Sequence, residues 1–134
     1  MAALPTVKGF LGETPKIEFD AGSKPPADLV VETLHEGDGP VVQAGQTIEV
    51  NYLGETWGGT EFDSSFRRGD TVEFPIGVGM VIKGWDEGLV GKKVGDRVLL
   101  SIPPHKGYGN QGMPAAGIKG SDTLVFVVDI VGVR

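Results

Sequence analysis

The stretch VIKGWDEGL, residues 81–89, decides how the rest of the sequence is interpreted. Its apolar residues recur at helical spacing and share one face: Ile82, Trp85 and Leu89. Gly84 and Gly88 weaken this helix, since each costs about 1 kcal/mol relative to alanine. A helix that is so short and so rich in glycine is unstable alone. We therefore expect it to form only where a sheet supports it.

Alternation of apolar and polar residues predicts half-buried strands on both sides of this helix. Three segments alternate in this way: TIEVNYLG (47–54), TVEFPIG (71–77) and RVLLSIP (97–103). The segment TLVFVVDIVGV (123–133) is apolar on both faces, which is typical of a central strand, and LVVETLHEG (29–37) is a weaker fifth strand. The short turns between them favour antiparallel neighbours. The sequence therefore predicts an α+β fold, a curled antiparallel β-sheet of about five strands wrapped around one short α-helix.

A chain of 134 residues is the size of a single domain. The core pattern begins at Leu29, whereas the preceding AGSKPPAD has the composition of a linker and KIEF (16–19) is compatible with a short strand. We therefore divide the chain into an N-terminal extension and linker, residues 1–28, and a folded domain, residues 29–134. This division predicts that removal of the extension leaves folding and activity nearly intact.

Composition argues against several classes of function. The sequence has no cysteine, which excludes disulfides, thiolate catalysis and cysteine-ligated metals. Its net charge of −6 argues against nucleic-acid binding, because phosphate recognition depends on clustered lysine and arginine. No run approaches the roughly 18 apolar residues of a membrane span, and the start MAALPTVKGF lacks the pattern of a signal peptide. We expect no membrane partner and a cytoplasmic location.

Motifs for nucleotide binding and hydrolysis fail on inspection. In GVGMVIKG (77–84) a dinucleotide fingerprint would need glycine at Ile82, and a phosphate loop would need lysine at Trp85. The sequence has only His35 and His105, with neither an H-E-x-x-H nor a G-x-S-x-G pattern. Metal-dependent and serine-dependent hydrolysis therefore have little support.

Aromatic residues at turns favour a binding site instead. The hairpin sequence YLGETWGGTEFDSSFRRG places Tyr52, Phe62 and Asp63 close together. Core packing is the alternative for each aromatic residue, and capping of a turn is the alternative for Asp63. Residues 103–122 weigh toward binding, because a compact domain rarely carries about 20 residues without regular structure unless they have a function. Tyr108 lies in this loop between two glycines.

The motifs VNYLG, FDSS, VIKGWDEGL, VGDRVLLSIPP, YG and TLVFVVDIV occur in this order. Together they closely resemble the FKBP-type peptidyl-prolyl cis-trans isomerases, the macrolide-binding immunophilins. The match covers essentially all of residues 29–134, and such a combination is highly specific. The sequence is most similar to the minimal single-domain, bacterial-like form, because no further domain interrupts the stretch between Tyr108 and Phe126.

The resemblance implies a rotamase, an enzyme that accelerates Xaa-Pro isomerisation in protein folding, with a shallow apolar pocket between helix and sheet. It implies four catalytic residues: Asp63, Tyr108, Trp85 and Ile82. It implies further substrate-binding residues: Tyr52, Phe62, Arg68, Val72, Val81, Met113, Ile118 and Phe126. It implies neither a cofactor nor a metal ion.

The same resemblance assigns a role to each catalytic residue. Trp85 forms the pocket floor on which the proline ring packs, and the backbone N–H of Ile82 anchors a substrate carbonyl. Tyr108 forms a hydrogen bond nearby. Asp63 either receives the hydroxyl of Tyr52 or polarises the twisted carbonyl, and both roles stay open at this point.

Three departures from the family pattern leave open which ligands the rim of the implied pocket would prefer. Val72 stands where many members have an aromatic residue, Met113 where a histidine is frequent, and the loop after Tyr108 is one residue longer. The implied partners are proline-containing polypeptides as substrates and the macrolides tacrolimus and rapamycin as inhibitors, and we expect a monomer. The main alternative is a non-catalytic module or folding helper that binds proline segments, and a purely structural domain is a weaker one.

Overall fold

The computed structural model describes residues 4–9 and 13–134. Its strands are β1 (Thr6–Lys8), β2 (Lys16–Glu18), β3 (Val30–His35), β4 (Thr47–Thr56), β5 (Thr60–Ser64), β6 (Val72–Pro75), β7 (Arg97–Ile102) and β8 (Leu124–Val133). Its α-helices are α1 (Ser65–Arg68) and α2 (Lys83–Leu89), and 3₁₀ turns follow β7 at Pro104–Lys106, Gly109–Gln111 and Pro114–Ala116. None of the helices in these residues is long and apolar enough to cross a membrane.

Six of the strands form one antiparallel sheet in the order β3-β7-β8-β4-β5, with β6 also paired to β4. The first half of β4, residues 47–50, pairs with β6, and residues 53–56 pair with β5. Two short strands therefore share one edge of this long strand. On the other side of β4 lies β8, which also pairs with β7. β8 is thus a central strand, as its apolar residues on both faces predict.

The inner face of the sheet carries the main core. Alternate positions of β4, β7 and β8 contribute fully buried side chains such as Ile48, Val98 and Val128. The helix α2 lies on this face and adds Trp85 and Leu89 to the same core. Because side chains on a strand alternate between faces, the period-two pattern of the sequence delivers its apolar residues to this side.

The glycines of α2 set its distance from the sheet. A Cβ atom on Gly84 would lie 2.6 to 2.7 Å from three side-chain carbons of Ile102. A Cβ atom on Gly88 would lie 2.6 Å from Cδ2 of Leu100. Both partners are fully buried on β7. The two glycines therefore allow the helix to lie directly on the strand, which is the support that the sequence predicts.

We expect the substitution Gly84→Ala to destabilise the fold by about 1–3 kcal/mol, the usual cost of overpacking a core. Alanine favours a helix over glycine by about 1 kcal/mol, but its Cβ atom would lie 2.6 to 2.7 Å from three carbons of the fully buried Ile102, so the core must shift to admit it. Urea denaturation measures the difference. The exposed Lys83→Ala on the same helix is the matched control and should leave stability nearly unchanged. A gain in stability from Gly84→Ala would mean that helix and sheet are further apart.

The outer face of the sheet carries a second core beneath the N-terminal extension. Its buried members are Ile17, Leu53, Leu99, Val125 and Val127. Ile17 belongs to β2, which pairs with β1 in a separate hairpin. Phe19 then packs edge to face on Trp57 at a ring-centroid distance of 5.3 Å, and the indole N–H of Trp57 donates to the carbonyl of Ser23 at 3.1 Å. The extension therefore covers apolar surface of the sheet.

A buried ion pair also joins the outer face to the extension. Arg97 on β7 donates to Asp129 on β8 through Nε at 2.7 Å and Nη2 at 2.9 Å. The same guanidinium donates to the carbonyl oxygens of Gly9 at 3.3 Å and Glu13 at 2.7 Å. Backbone carbonyls of the extension thus accept hydrogen bonds from guanidinium N–H groups that the carboxylate does not fully satisfy.

The predicted α+β architecture is confirmed, with additions at short elements. The strand β5 escapes the pattern because TEFDS contains a single apolar residue, Phe62. The four-residue helix α1 follows directly, with the hydroxyl of Ser64 accepting a hydrogen bond from the N–H of Arg67 at its start. KIEF contains β2, which pairs with β1 and not with the main sheet. The division at residue 29 stays a prediction.

Candidate functional site

A cavity of about 500 Å³ opens between α2, the inner face of the sheet and the loop after β7. Most of its lining is apolar or aromatic. The lining residues are Tyr52, Phe62, Asp63, Phe74, Gly79, Met80, Val81, Ile82, Trp85, Tyr108, Met113, Ala116 and Phe126. A cavity of this size and character is typical of a small-ligand or peptide site.

Trp85 forms the centre of the cavity floor. Its ring centroid lies 5.3 Å from those of Tyr52, Phe74 and Phe126, and each pair meets edge to face. Such pairs are favourable beyond the area that they bury. Only 4% of Trp85 is exposed, although it faces a cavity. The indole therefore presents a rigid apolar surface whose position is set by three neighbouring rings.

One wall of the cavity depends on a glycine. Phe62 on β5 packs edge to face on Phe126 of β8 at 5.4 Å, across the intervening strand β4. Gly54 lies in β4 at this crossing, and a Cβ atom there would be 2.7 Å from Phe62 and 2.8 Å from Phe126. The missing side chain therefore permits the contact between the rings. Sequence reasoning missed Gly54. Its only signal is a glycine inside a strand pattern, and this signal does not say which side chains approach it.

The cavity rim carries a hydrogen-bonded group of three side chains. The hydroxyl of Tyr52 donates to Oδ2 of Asp63. Arg68, the last residue of α1, donates to Oδ1 of Asp63 at 2.6 Å and to the Tyr52 hydroxyl at 3.4 Å. The hydroxyl of Ser65 accepts from the N–H of Tyr52 at 2.7 Å, which ties α1 to β4. The short helix thus positions the arginine against the carboxylate.

The environment shifts the pKa values of the rim residues in opposite directions. Burial alone would raise the pKa of Asp63, but the hydrogen bonds from Tyr52 and Arg68 outweigh it and lower the value below 3.8. Burial, and then the hydrogen bond to Asp63, raises the pKa of Tyr52 above 10.0. Burial and the negative charge of Asp63 raise the pKa of Tyr108 in the same direction. At neutral pH the rim therefore holds one carboxylate and two neutral phenols.

Asp86 on α2 fixes the loop that enters the helix. Its carboxylate accepts from the N–H of Gly77 at 2.7 Å and from the N–H of Gly79 at 2.9 Å. These glycines have φ values of +78° and +80°, which other residues rarely adopt. The loop continues into Val81 and Ile82 on the cavity wall, and among the hydrogen bonds of residues 4–9 and 13–134 none is donated by the Ile82 N–H. This amide therefore has no recorded acceptor within the described residues, and its residue lines the cavity.

The loop after β7 contributes one side of the mouth. It brings Tyr108, Met113 and Ala116 to the cavity, as the unusual length of the loop predicts. Met113 and Ile118 exchange backbone hydrogen bonds at 2.9 and 3.1 Å, which closes the loop on itself. Ile118 is only 2% exposed and belongs to the main core. Three 3₁₀ turns and these bonds give the loop a defined shape without strands or α-helices.

The cavity brings together most of the predicted site residues. The four predicted catalytic residues line it, as do Tyr52, Phe62, Val81, Met113 and Phe126. Three predictions fall outside the lining. Arg68 acts on the rim through Asp63, Ile118 is in the core, and Val72 packs against the core from β6. Phe74, two residues after Val72 on the same face of β6, supplies the aromatic ring instead.

Neither histidine lines the cavity. His35 lies at the end of β3, and His105 lies in the first 3₁₀ turn. In the part of the chain that the structure describes, no group of three or more histidine, aspartate or glutamate side chains is placed to hold a metal ion. The residues that face the cavity are suited to packing and hydrogen bonding.

We expect kcat/KM to stay within about twofold from roughly pH 5.5 to 8.5. The pKa of Asp63 is lowered from its ordinary value of 3.8, so the ionised carboxylate stabilises the site at every pH above 3.8. This stabilisation is lost only as the pH falls through the lowered pKa. The pKa values of Tyr52 and Tyr108 lie above 10.0. A pH–rate profile checks this. A bell-shaped profile that disappears in a folded His105→Ala variant would require proton transfer by histidine.

Comparison with known proteins agrees with this geometry. The family model described as FKBP-type peptidyl-prolyl cis-trans isomerase matches residues 39–131. An FK506-binding protein of Streptomyces anulatus is 48% identical over 122 residues, which cover 90% of this chain and 98% of that protein. The peptidyl-prolyl cis-trans isomerase FKBP15-2 of Arabidopsis thaliana is 42% identical over 133 residues, covering 98% of this chain and 76% of that protein.

A solved structure supports the same assignment. The crystal structure of AtFKBP13 matches with a TM-score of 0.74 and 35% sequence identity, covering 82% of this chain and 96% of that one. The sequence motifs, the sheet with its short helix and the family match over residues 39–131 agree. The chain belongs to the family of FKBP-type peptidyl-prolyl cis-trans isomerases.

Proposed function

We propose that the aromatic cavity is the site at which this chain isomerises Xaa-Pro bonds. One observation carries the proposal: a rigid indole floor, a polar rim and Ile82, whose N–H donates no hydrogen bond within residues 4–9 and 13–134, line the same 500 Å³ cavity. The proline ring packs on Trp85, and a substrate carbonyl accepts from the Ile82 amide. Tyr108, which lines the cavity, hydrogen-bonds the substrate backbone in this proposal.

The reaction needs a site that favours a twisted amide. Uncatalysed isomerisation has a barrier of about 18–20 kcal/mol because twisting removes the resonance of the peptide bond. The planar amide is the more polar species, so it loses more than the twisted form when an apolar cavity removes it from water. A site that binds the twisted form about 5 kcal/mol more tightly accelerates the reaction by a few thousandfold. No covalent intermediate is required.

Asp63 acts in this proposal by holding Tyr52 and not by polarising the carbonyl. Its two oxygens already accept from the Tyr52 hydroxyl and from Arg68. A negatively charged carboxylate would also repel the oxygen of a twisted carbonyl. Between the two roles left open by the sequence, the hydrogen bonds favour the first. Asp63 then fixes the ring that packs on Trp85.

Proline-containing polypeptides are the proposed substrates, and tacrolimus and rapamycin are the proposed competitive inhibitors. The sequence contains two tryptophans, so a Trp57→Phe variant leaves Trp85 as the only fluorescent indole. We expect its emission to change on titration with either macrolide, and turnover to fall in parallel. Unchanged emission and turnover up to tens of micromolar, where a Kd of 1 μM is about −8 kcal/mol, would contradict the assignment of this cavity.

We keep a cytoplasmic location and a monomeric state as predictions from the sequence. Size-exclusion chromatography with light scattering decides the oligomeric state directly.

A further inference from the structure

Two methionines stand at the mouth of the cavity. Met80 is 69% exposed and Met113 is 39% exposed, and both belong to the cavity lining. The sequence has three methionines and no cysteine. Apart from Met1, every sulfur atom of the protein therefore lies at the entrance to the site.

Hydrogen bonds fix the backbone at or next to both methionines. Met80 follows Gly79, whose N–H is bound by the carboxylate of Asp86 at 2.9 Å. Met113 is fixed by its two backbone hydrogen bonds to Ile118. Neither methionine belongs to the buried core, which consists of branched aliphatic and aromatic side chains. A chemical change at either sulfur therefore alters the mouth of the cavity and not the packing of the fold.

We infer that Met80 and Met113 form a modification site, at which a hydroperoxide oxidises the two thioethers and thereby weakens substrate binding. This inference rests on the proposed function of the cavity. It concerns the affinity of the mouth for a proline-containing chain. The groups proposed to act on the twisted bond, Trp85 and the Ile82 amide, are unchanged by it.

The chemical step balances with one hydroperoxide for each sulfur atom. A sulfur lone pair attacks the distal oxygen of the peroxide, the O–O bond breaks, and an S–O bond forms. The hydroperoxide proton moves to the departing oxygen, which leaves as water or an alcohol. Sulfur is oxidised by two electrons and the peroxide is reduced by two. Because the chain has no thiol, no faster sulfur nucleophile of the same protein competes.

The product changes the character of the entrance. A sulfoxide is polar and accepts hydrogen bonds, whereas the thioether that it replaces is apolar and flexible. A substrate that covers the sulfoxide must displace its water without offering a matching donor. We expect KM to rise on the order of tenfold, which is about 1.4 kcal/mol, with little change in kcat. Methionine sulfoxide reductases reverse the reaction, so the effect is reversible.

The test uses the intact protein before and after treatment with hydrogen peroxide. Peptide mass spectrometry locates the added oxygen atoms, and kcat and KM are measured on one Xaa-Pro peptide. The matched variant carries Met80→Leu and Met113→Leu, which keep side-chain size but cannot be oxidised. Each protein is compared only with its own untreated sample. Met1 is common to both, so its oxidation cancels in the comparison.

We expect peroxide to raise KM in the wild type and not in the double variant, and reductase treatment to restore the wild-type value. A sulfoxide at both positions with an unchanged KM would overturn the inference. An equal rise of KM in the double variant would also overturn it. If the untreated protein turns over the peptide without inhibition by tacrolimus, the assignment of the cavity fails instead. The two failures are therefore distinguishable.

Discussion

Replacement of Asp129 by alanine is expected to lower the free energy of unfolding by about 3–5 kcal/mol, the usual effect of breaking a buried ion pair. The side chains of Arg97 and Asp129 are only 4% and 6% exposed. Without the carboxylate, the guanidinium stays buried between β7 and the extension with only two carbonyl acceptors. Since a typical domain has 5–15 kcal/mol of stability, this is a large fraction of the total.

The matched control is a second arginine–carboxylate pair on the surface. Arg134 donates to Glu73 at 2.9 and 2.5 Å, in a similar two-bond arrangement, but both side chains are well exposed. Exposed pairs contribute little, because water screens the charges and the side chains lose freedom. Glu73→Ala should therefore leave the urea midpoint nearly unchanged. Equal losses from Asp129→Ala and Glu73→Ala would show that burial of the inner pair is not what matters.

Deletion of residues 1–28 is expected to cost several kcal/mol and to lower Tm on the order of 10 °C. The sequence alone predicts the opposite, a dispensable extension, and the contacts of the extension with the sheet are the reason for expecting a loss. Ile17 is buried on the outer face of the sheet, and one such side chain contributes about 1.5–3 kcal/mol. Deletion also removes Phe19 from Trp57 and two acceptors from Arg97.

Thermal unfolding followed by circular dichroism measures this effect. The substitution Ile17→Ala should reproduce part of it, whereas the exposed Lys16→Ala on the same strand should not. Because the cavity lining begins at Tyr52, peptide turnover by the shortened chain should survive below its melting temperature. An unchanged Tm would show that the extension does not contribute to the stability of the fold.

Periodicity predicts the larger elements of this fold and fails at the short ones. The strands β4 and β6 and the helix α2 bury mainly one face, so period two and period 3.6 are visible in the sequence. The strand β7 alternates in sequence but is buried on both faces, so the prediction of a half-buried strand is wrong there. The strand β5 buries little, and its pairing with β4 is set by the hairpin instead. The ion pair of Arg97 and Asp129 spans two strands: Arg97 begins β7, and Asp129 interrupts the apolar run of β8. Such an interruption is a signal that a buried partner exists.

The site is predicted less completely than the fold. Resemblance to a family transfers residues by position, and it named Val72 of β6 as a site residue that lacks the family's aromatic ring, whereas the neighbouring Phe74 lines the cavity. Gly54 permits the contact between Phe62 and Phe126, and Asp86 holds the loop before α2 by accepting from the N–H of Gly77. Neither residue acts by contact with a ligand. Their roles depend on distances between elements far apart in sequence. Only the assembled structure supplies those distances.

The central claim is that this cavity catalyses prolyl isomerisation. Exchange NMR on a short Xaa-Pro peptide tests it, with a catalytic amount of protein and with a folded Gly54→Val variant, whose added carbons displace Phe62 from Phe126. We predict fast cis–trans exchange with the wild type and a loss of most of that acceleration with the variant. Shifted peaks without exchange would instead identify a binding module, and undiminished exchange with the variant would place catalysis outside the cavity.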